Sequence, residues 1–175
     1  MPPLEVDLER VAASAAQRRD DNEAFGYYVD TLCERGDWTD EALDARVDAI
    51  AAEVAAQIDC TACGNCCRSL TVGLTPDDIP ALAGALGQPG DAVIAQYVDR
   101  EMARREGEWG VFRHQPCALL VGKRCSIYAS RPAACRAYPA FTPDFRYLAQ
   151  PIIAGAGLCP IIYNVIERLK IDLGW

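Results

Sequence analysis

The chain has 175 residues, 51% of them hydrophobic, which is enough for a core that needs no disulfides. Its net charge is −8 with no long Lys/Arg stripe, which argues against nucleic acid as a partner, and no run of 18 apolar residues offers a membrane span. The opening "MPPLEVDLERV" has no basic segment followed by an apolar run, so no signal peptide is expected, and the default location is cytoplasmic, with reduced thiols.

Residues 4–35 read as one or two helices, with Leu4, Leu8, Val11 and Ala15 at helical spacing and the polar run "QRRDDNE" as the point of interruption. Residues 40–58 form a clearer helix. Thr39 is placed to cap it, Asp40 and Glu41 suit its positive end, and Leu43, Val47, Ile50, Val54 and Ile58 make one apolar stripe. In "TPDDIPALAGALG" Thr75 reads as an N-cap, Pro76 as the first helical residue, Asp78 as a capping-box acid and Gly87 as the stop. A further helix is predicted over residues 91–106, ended by Gly107. "WGVFRH" and "ALLVGKRCSIY" look extended, the second as a hairpin with Gly122 and Lys123 at its tip. "SRPAAC" reads as a short helix capped by Ser130, and a last helix covers residues 160–171. The expected fold class is mostly α with a small irregular β part, its helices packed around a cysteine-ligated metal centre. The expected division is an acidic helical region, 1–59, and a metal-binding domain, 60–175.

Charge is distributed unevenly. Residues 1–59 hold 15 acids and 5 bases, whereas residues 111–136 hold five bases (Arg113, Lys123, Arg124, Arg131, Arg136) and no acid. A basic stretch favours thiolates and tolerates the negative charge of a thiolate cluster; a solvated face would read the same way. The acidic helices are either a solvated face or a surface for a protein partner.

Nine cysteines carry the chemistry, at 33, 60, 63, 66, 67, 117, 125, 135 and 159. In a reduced compartment they read as metal ligands or redox groups. Two residues between cysteines let both sulfurs of a tight turn face one metal, and Gly64 relieves crowding there. Cys60, Cys63 and Cys66 repeat that spacing, as the first three ligands of a bacterial ferredoxin run do, and the fourth ligand of such a run is a Cys before Pro, which Cys159 is. Adjacent side chains diverge, so Cys66 and Cys67 are expected to serve two sites, or two metals of one cluster. The preferred partition is Cys60, Cys63, Cys66 and Cys159 for one set, and Cys67, Cys117, Cys125 and Cys135 for the other. Cys33, on a helix after Val29 and Leu32, reads as a buried thiol outside both. His114 stands close before Cys117, but eight cysteines leave it little role as a ligand. Arg131 and Arg136 are placed to donate to cluster sulfurs or to pair with N-terminal acids, and Tyr128, Tyr138 and Phe141 to pack around the site.

"CTACGNCC", then "LTPDDIPALAGALG", then "CALLVGKRCSIYASRPAACRAYP" and a late cysteine resemble the YkgJ-like cysteine cluster family, the CxxCxxCC zinc- or iron-chelating domain. The resemblance spans roughly residues 60–160. It implies metal chelation by Cys60, Cys63, Cys66, Cys67, Cys117, Cys125, Cys135 and Cys159, and implies no particular reaction. Flagellin lysine N-methylases are similar in carrying such a cluster, but "GAG" at 155–157 is too weak a glycine signal for a methyl-donor domain. The C-x2-C-x2-C spacing also differs from that of radical enzymes using S-adenosylmethionine.

Structural zinc usually arrives as two C-x2-C knuckles, and the second half here, with gaps of seven and nine residues between cysteines, contains none. The balance tilts towards an iron–sulfur cluster of the 4Fe-4S kind with a redox or electron-transfer role. The alternative is zinc in a structural or interaction module without catalysis, since thiolates suit both metals. Whether the protein is an enzyme stays open: no Ser/His/Asp set, H-x-x-x-H or phosphate loop is present, and full cysteine ligation leaves no open metal position.

Overall fold

Asp7 accepts a hydrogen bond from the Arg10 N–H at 2.9 Å and so starts helix α1 (Leu8–Gln17). The computed structural model describes residues 3–105 and 107–175. The polar run breaks the helix at Arg18, after which α2 (Arg19–Glu34) begins. Thr39 caps α3 (Asp40–Ala55) through the Ala42 N–H at 3.2 Å. Leu43, Val47, Ile50 and Val54 form the expected buried stripe, whereas Ile58 lies beyond the end of the helix.

The chain then runs through two short helices, α4 (Cys60–Cys63) and α5 (Asn65–Ser69), into strand β1 (Gly73–Leu74). A 3-10 turn at Pro76–Asp78 leads into α6 (Ile79–Leu86), which Gly87 ends at φ 63°. The single helix expected over 91–106 is divided instead, with Glu106 lying outside the described residues. It consists of α7 (Gly90–Tyr97), strand β2 (Val98–Asp99) and α8 (Arg100–Arg105). Two interactions explain the break. Val98 pairs with Phe112 of β3 (Gly110–Phe112) and is buried, and the Asp99 carboxylate caps the new helix through the Glu101 and Met102 N–H groups at 2.9 and 2.8 Å. Strands β1, β3 and β2 form one antiparallel sheet in that order. The predicted hairpin is present as β4 (Leu120–Val121) and β5 (Arg124–Cys125). Helix α9 (Ala133–Ala137) follows, then α10 (Phe145–Ala154) and α11 (Pro160–Asp172). The chain is mostly helical with a small antiparallel part.

Residues up to Asp59 and Pro139–Trp175 form one compact unit, and Cys60–Tyr138 form a second. In the first, α11 is buried almost all round and packs on α3, while α10 packs on α2. Its buried polar residues have partners. Lys170 reaches Asp21 at 2.6 Å, Arg168 reaches Glu53 at 2.6 Å, and Asn164 bonds both the N–H and the C=O of Glu5. Arg146 lies among Asp30, Glu34 and Asp40. Part of the N-terminal acidity is therefore matched by bases of the C-terminal segment.

The second unit has its own core of Leu74, Ile79, Leu82, Val93, Val98, Phe112, Leu119 and Ile127. Burying each of these side chains contributes about 1.5–3 kcal/mol. Cys117, Cys125 and Cys135 pack against this cluster, so the thiols stand on an apolar floor.

Candidate metal centre

Helices α4 and α5 are joined by Gly64 at φ 63°, a left-handed conformation that suits glycine. Gly64 is also required by close approach, because a Cβ there would stand 2.5 Å from the Lys123 carbonyl oxygen. The cysteine turn thus lies directly on the tip of the β4–β5 hairpin. Arg68 bonds the same two segments together, donating to the Cys63 carbonyl at 3.0 Å and the Gly122 carbonyl at 3.3 Å. The Cys117 N–H donates to the Cys67 carbonyl at 2.8 Å. Backbone bonds, not sulfur, therefore bring Cys67, Cys117 and Cys125 near one another.

Cys135 arrives on α9. Ser130 does not cap that helix: Pro132 occupies the cap position and offers no side-chain acceptor. The acceptor comes from the distant Asp78, which takes the Ala133 N–H at 2.8 Å. Asp78 also reaches back to Thr75, as a capping-box acid does, accepting its N–H at 2.9 Å and its hydroxyl at 3.0 Å. Burial alone would raise the Asp78 carboxyl. The N–H bonds from Thr75 and Ala133, the Thr75 hydroxyl and the Arg136 charge outweigh it and hold the carboxyl below the usual value.

The thiols of Cys66, Cys67, Cys117, Cys125 and Cys135 share one electrostatic neighbourhood. Burial pushes Cys67 up to about 11; the adjacent Cys66 adds its charge and a thiol hydrogen bond, Cys125 adds more, and Arg68 opposes them. Cys135 is pushed up to about 12 by burial and then by Cys67, Cys117, Cys125 and Cys66. Cys117 is raised by burial, with Cys67 and Cys125 contributing and a hydrogen bond involving the Leu119 backbone opposing. The thiolates of Cys67, Cys117 and Cys135 are disfavoured by burial and by their neighbours, a penalty that a cation among them would reverse.

The remaining cysteines are placed differently. Cys60 is exposed at the start of α4 and Cys63 is half-buried at its end, with α4 packed on β5. Cys159 is buried in the first unit, immediately before α11. Cys33, also in the first unit, is half-buried rather than buried. Its thiol is raised by burial and by a hydrogen bond with Asp40. His114 is exposed. Arg131 lies over the Tyr128 ring at 3.5 Å, and Arg136 donates to the Arg131 carbonyl. Phe141 is buried in the first unit. Sequence reasoning gave Arg68 no role and did not reach the Asp78–Ala133 bond; the capping-box pattern around Asp78 was the available signal.

Among the described residues, no three Cys, His, Asp or Glu side chains converge as ligands of one ion as they stand. The donor chemistry nonetheless fits a thiophilic metal. Cys117, Cys125 and Cys135 stand on an apolar floor, and Arg68 favours the thiolate form of Cys67. Such a set suits zinc or iron–sulfur and does not suit magnesium or calcium, which require oxygen ligands.

A family model described as "Putative zinc- or iron-chelating domain", CxxCxxCC, matches residues 59–153. The chain belongs to this family. The match includes Cys60, Cys63, Cys66, Cys67, Cys117, Cys125 and Cys135, and Cys159 lies beyond it. The CxxCxxCC match supports metal ions as what the cysteine unit binds. Comparison with curated proteins and with solved structures found no match. No helix among the described residues is long and apolar enough to cross a membrane.

Proposed function

We propose that this protein holds an iron–sulfur cluster through its cysteines and serves a redox or electron-transfer role. The observation that carries this reading is that the cysteine turn sits on the β4–β5 hairpin, with the Cys117 N–H bonded to the Cys67 carbonyl at 2.8 Å and Cys117, Cys125 and Cys135 packed on one apolar cluster. One small ion takes two adjacent sulfurs poorly, because metal–sulfur bonds of about 2.3 Å leave little slack; the separate metals of a polynuclear cluster take one each. Cys67, Cys117, Cys125 and Cys135 form one ligand set. Cys60, Cys63 and Cys66 form the ferredoxin-like set beside it, and Cys159 as its fourth member rests on the Cys-Pro pattern alone. The cluster supplies one-electron chemistry when bound. The protein supplies the thiolates, the apolar floor beneath them and the charge of Arg68. The acidic faces of α2 and α3 are the surface such a role would offer to a basic partner protein.

Zinc is the second reading, favoured by one observation: Cys117, Cys125 and Cys135 pack on one apolar cluster and the Cys117 N–H ties Cys67 to them, which offers four all-sulfur donors, the number that a closed structural site needs. Metal analysis and a visible spectrum of anaerobically purified protein decide between them. Iron with acid-labile sulfide and a brown colour is expected. Colourless protein with stoichiometric zinc and no sulfide replaces iron with zinc, and protein that takes up neither metal overturns both readings.

A further inference from the structure

We propose that Asp78 is a positioning residue for Cys135, holding that ligand in place through the first N–H of α9; this rests on the metal-binding reading above. Helix α9 has five residues, too few to be stable on its own, and its cap position is Pro132. The acceptor it lacks is supplied across 55 residues of sequence by Asp78 Oδ1, 2.8 Å from the Ala133 N–H. Cys135 is two residues further along the same helix. The other oxygen, Oδ2, is anchored by the N–H and hydroxyl of Thr75, at the end of β1, and α9 itself packs on β1.

Both carboxylate oxygens are therefore engaged, with only 6% of Asp78 exposed, and all three of these bonds come from donors. The Arg136 charge, on the same helix as Cys135, adds attraction. A carboxylate is the group that satisfies this arrangement. An asparagine has one acceptor oxygen, and its NH2 would face the Thr75 donors or the Ala133 N–H, donor against donor. Asp77, one residue earlier, is exposed. The capping box thus does two things: it starts the α6 segment and sets the height of the Cys135 sulfur above the apolar floor.

The test compares full-length Asp78→Asn, Cys135→Ser, the double variant and the control Asp77→Asn. In metal-free protein, the iodoacetamide alkylation rate of each cysteine is read by peptide mass spectrometry. Cobalt(II) is the metal probe, and its thiolate charge-transfer absorption counts bound sulfurs. Asp78→Asn is expected to raise alkylation at Cys135 about fivefold, the opening that loss of a cap gives, with little change at Cys60 and Cys63. It should also reduce the cobalt absorption to the Cys135→Ser level, with no further loss in the double variant. Asp77→Asn should do neither. Unchanged Cys135 reactivity, or an equal rise at every cysteine, overturns the proposal. If Asp78→Asn does not fold, Thr75→Val decides: a selective rise at Cys135 supports the proposal, and a uniform or absent rise overturns it. Failure of the unsubstituted protein to bind cobalt would count against the metal reading, while the alkylation pattern would still judge the role of Asp78.

Discussion

Gly64→Ala tests whether the cysteine turn and the hairpin are held by direct contact. Two costs add at this position. Alanine at φ 63° is disfavoured by about 1–2 kcal/mol. In addition, the new Cβ would stand 2.5 Å from the Lys123 carbonyl oxygen, where ordinary contact begins at 3.4 Å, so the hairpin must yield by about 0.9 Å. Forcing that shift adds about 1–3 kcal/mol. Gly122 provides the internal control: it has the same φ of 63° but nothing within 4 Å of its Cβ position, so Gly122→Ala incurs only the first cost. The excess for Gly64→Ala corresponds to some 3–10 °C in melting temperature for a chain of this size. The assay is thermal and urea unfolding of metal-free protein, followed by Trp109 fluorescence in a Trp38→Phe/Trp175→Phe background, which isolates the cysteine unit. Metal loading should also fall more in Gly64→Ala, because the displaced hairpin carries Cys125. Equal destabilisation by the two substitutions would refute the contact argument and leave only backbone conformation.

Cys33→Ser should retain full metal content and Cys63→Ser should lose metal, as read by elemental analysis; equal loss in both would show the ligand assignment to be wrong. In metal-free protein Cys67 and Cys135 are held up at about 11 and about 12, above the ordinary 9.0, so the unfolded chain loses these protons first. Their contribution to stability is therefore present below pH 9 and lost as pH rises through about 11 and 12, which urea midpoints across that range will measure; rising stability above pH 9 would contradict it. Lys170→Met leaves the buried Asn22 without its donor and the half-exposed Asp21 without its cation, and should cost about 1–3 kcal/mol in urea unfolding, with metal content unchanged. Cys66→Ser and Cys67→Ser should each perturb the visible spectrum of the loaded protein, and in different ways if they belong to different sets; a spectrum altered by only one of them would show that the other is not a ligand.

What was legible in the sequence was what depends on near neighbours along the chain. The stripe Leu43, Val47, Ile50 and Val54 repeats at helical period and is buried as read. The hairpin tip at Gly122, the turn at Gly64 and the capping box at Thr75 are local chemistry, and each stands where the pattern put it. The misses come from distant partners. Nothing within residues 91–106 announces that Val98 will pair with Phe112, and that pairing divides the helix. Ser130 looks like a cap until Asp78 supplies the acceptor from another element. Residues 139–175 pack with the N-terminal helices because α11 buries apolar groups on most of its surface, with Arg168 and Lys170 meeting acids of α3 and α2. Spacing alone describes an apolar helix without naming the partner that covers it.

The adjacent cysteines show where this boundary falls within the site itself. From spacing, Cys66 and Cys67 point apart, as neighbours do in extended backbone. In the fold both lie in α5, a helix short enough for each end to be held from outside: the Cys67 carbonyl receives the Cys117 N–H, and the Arg68 side chain bonds Cys63 and Gly122. Those bonds fix the backbone that carries the two thiols, and Cys125 and Cys135 stand in the same unit, packed on its apolar cluster. Burial first, and neighbouring sulfurs after it, hold the thiols of Cys67, Cys117 and Cys135 in their neutral form. A core of apolar residues and the Cys117–Cys67 backbone bond support that arrangement. A cation that binds these thiols must displace their protons, so metal uptake is expected to strengthen as pH rises, and cobalt(II) titrations at several pH values will measure it.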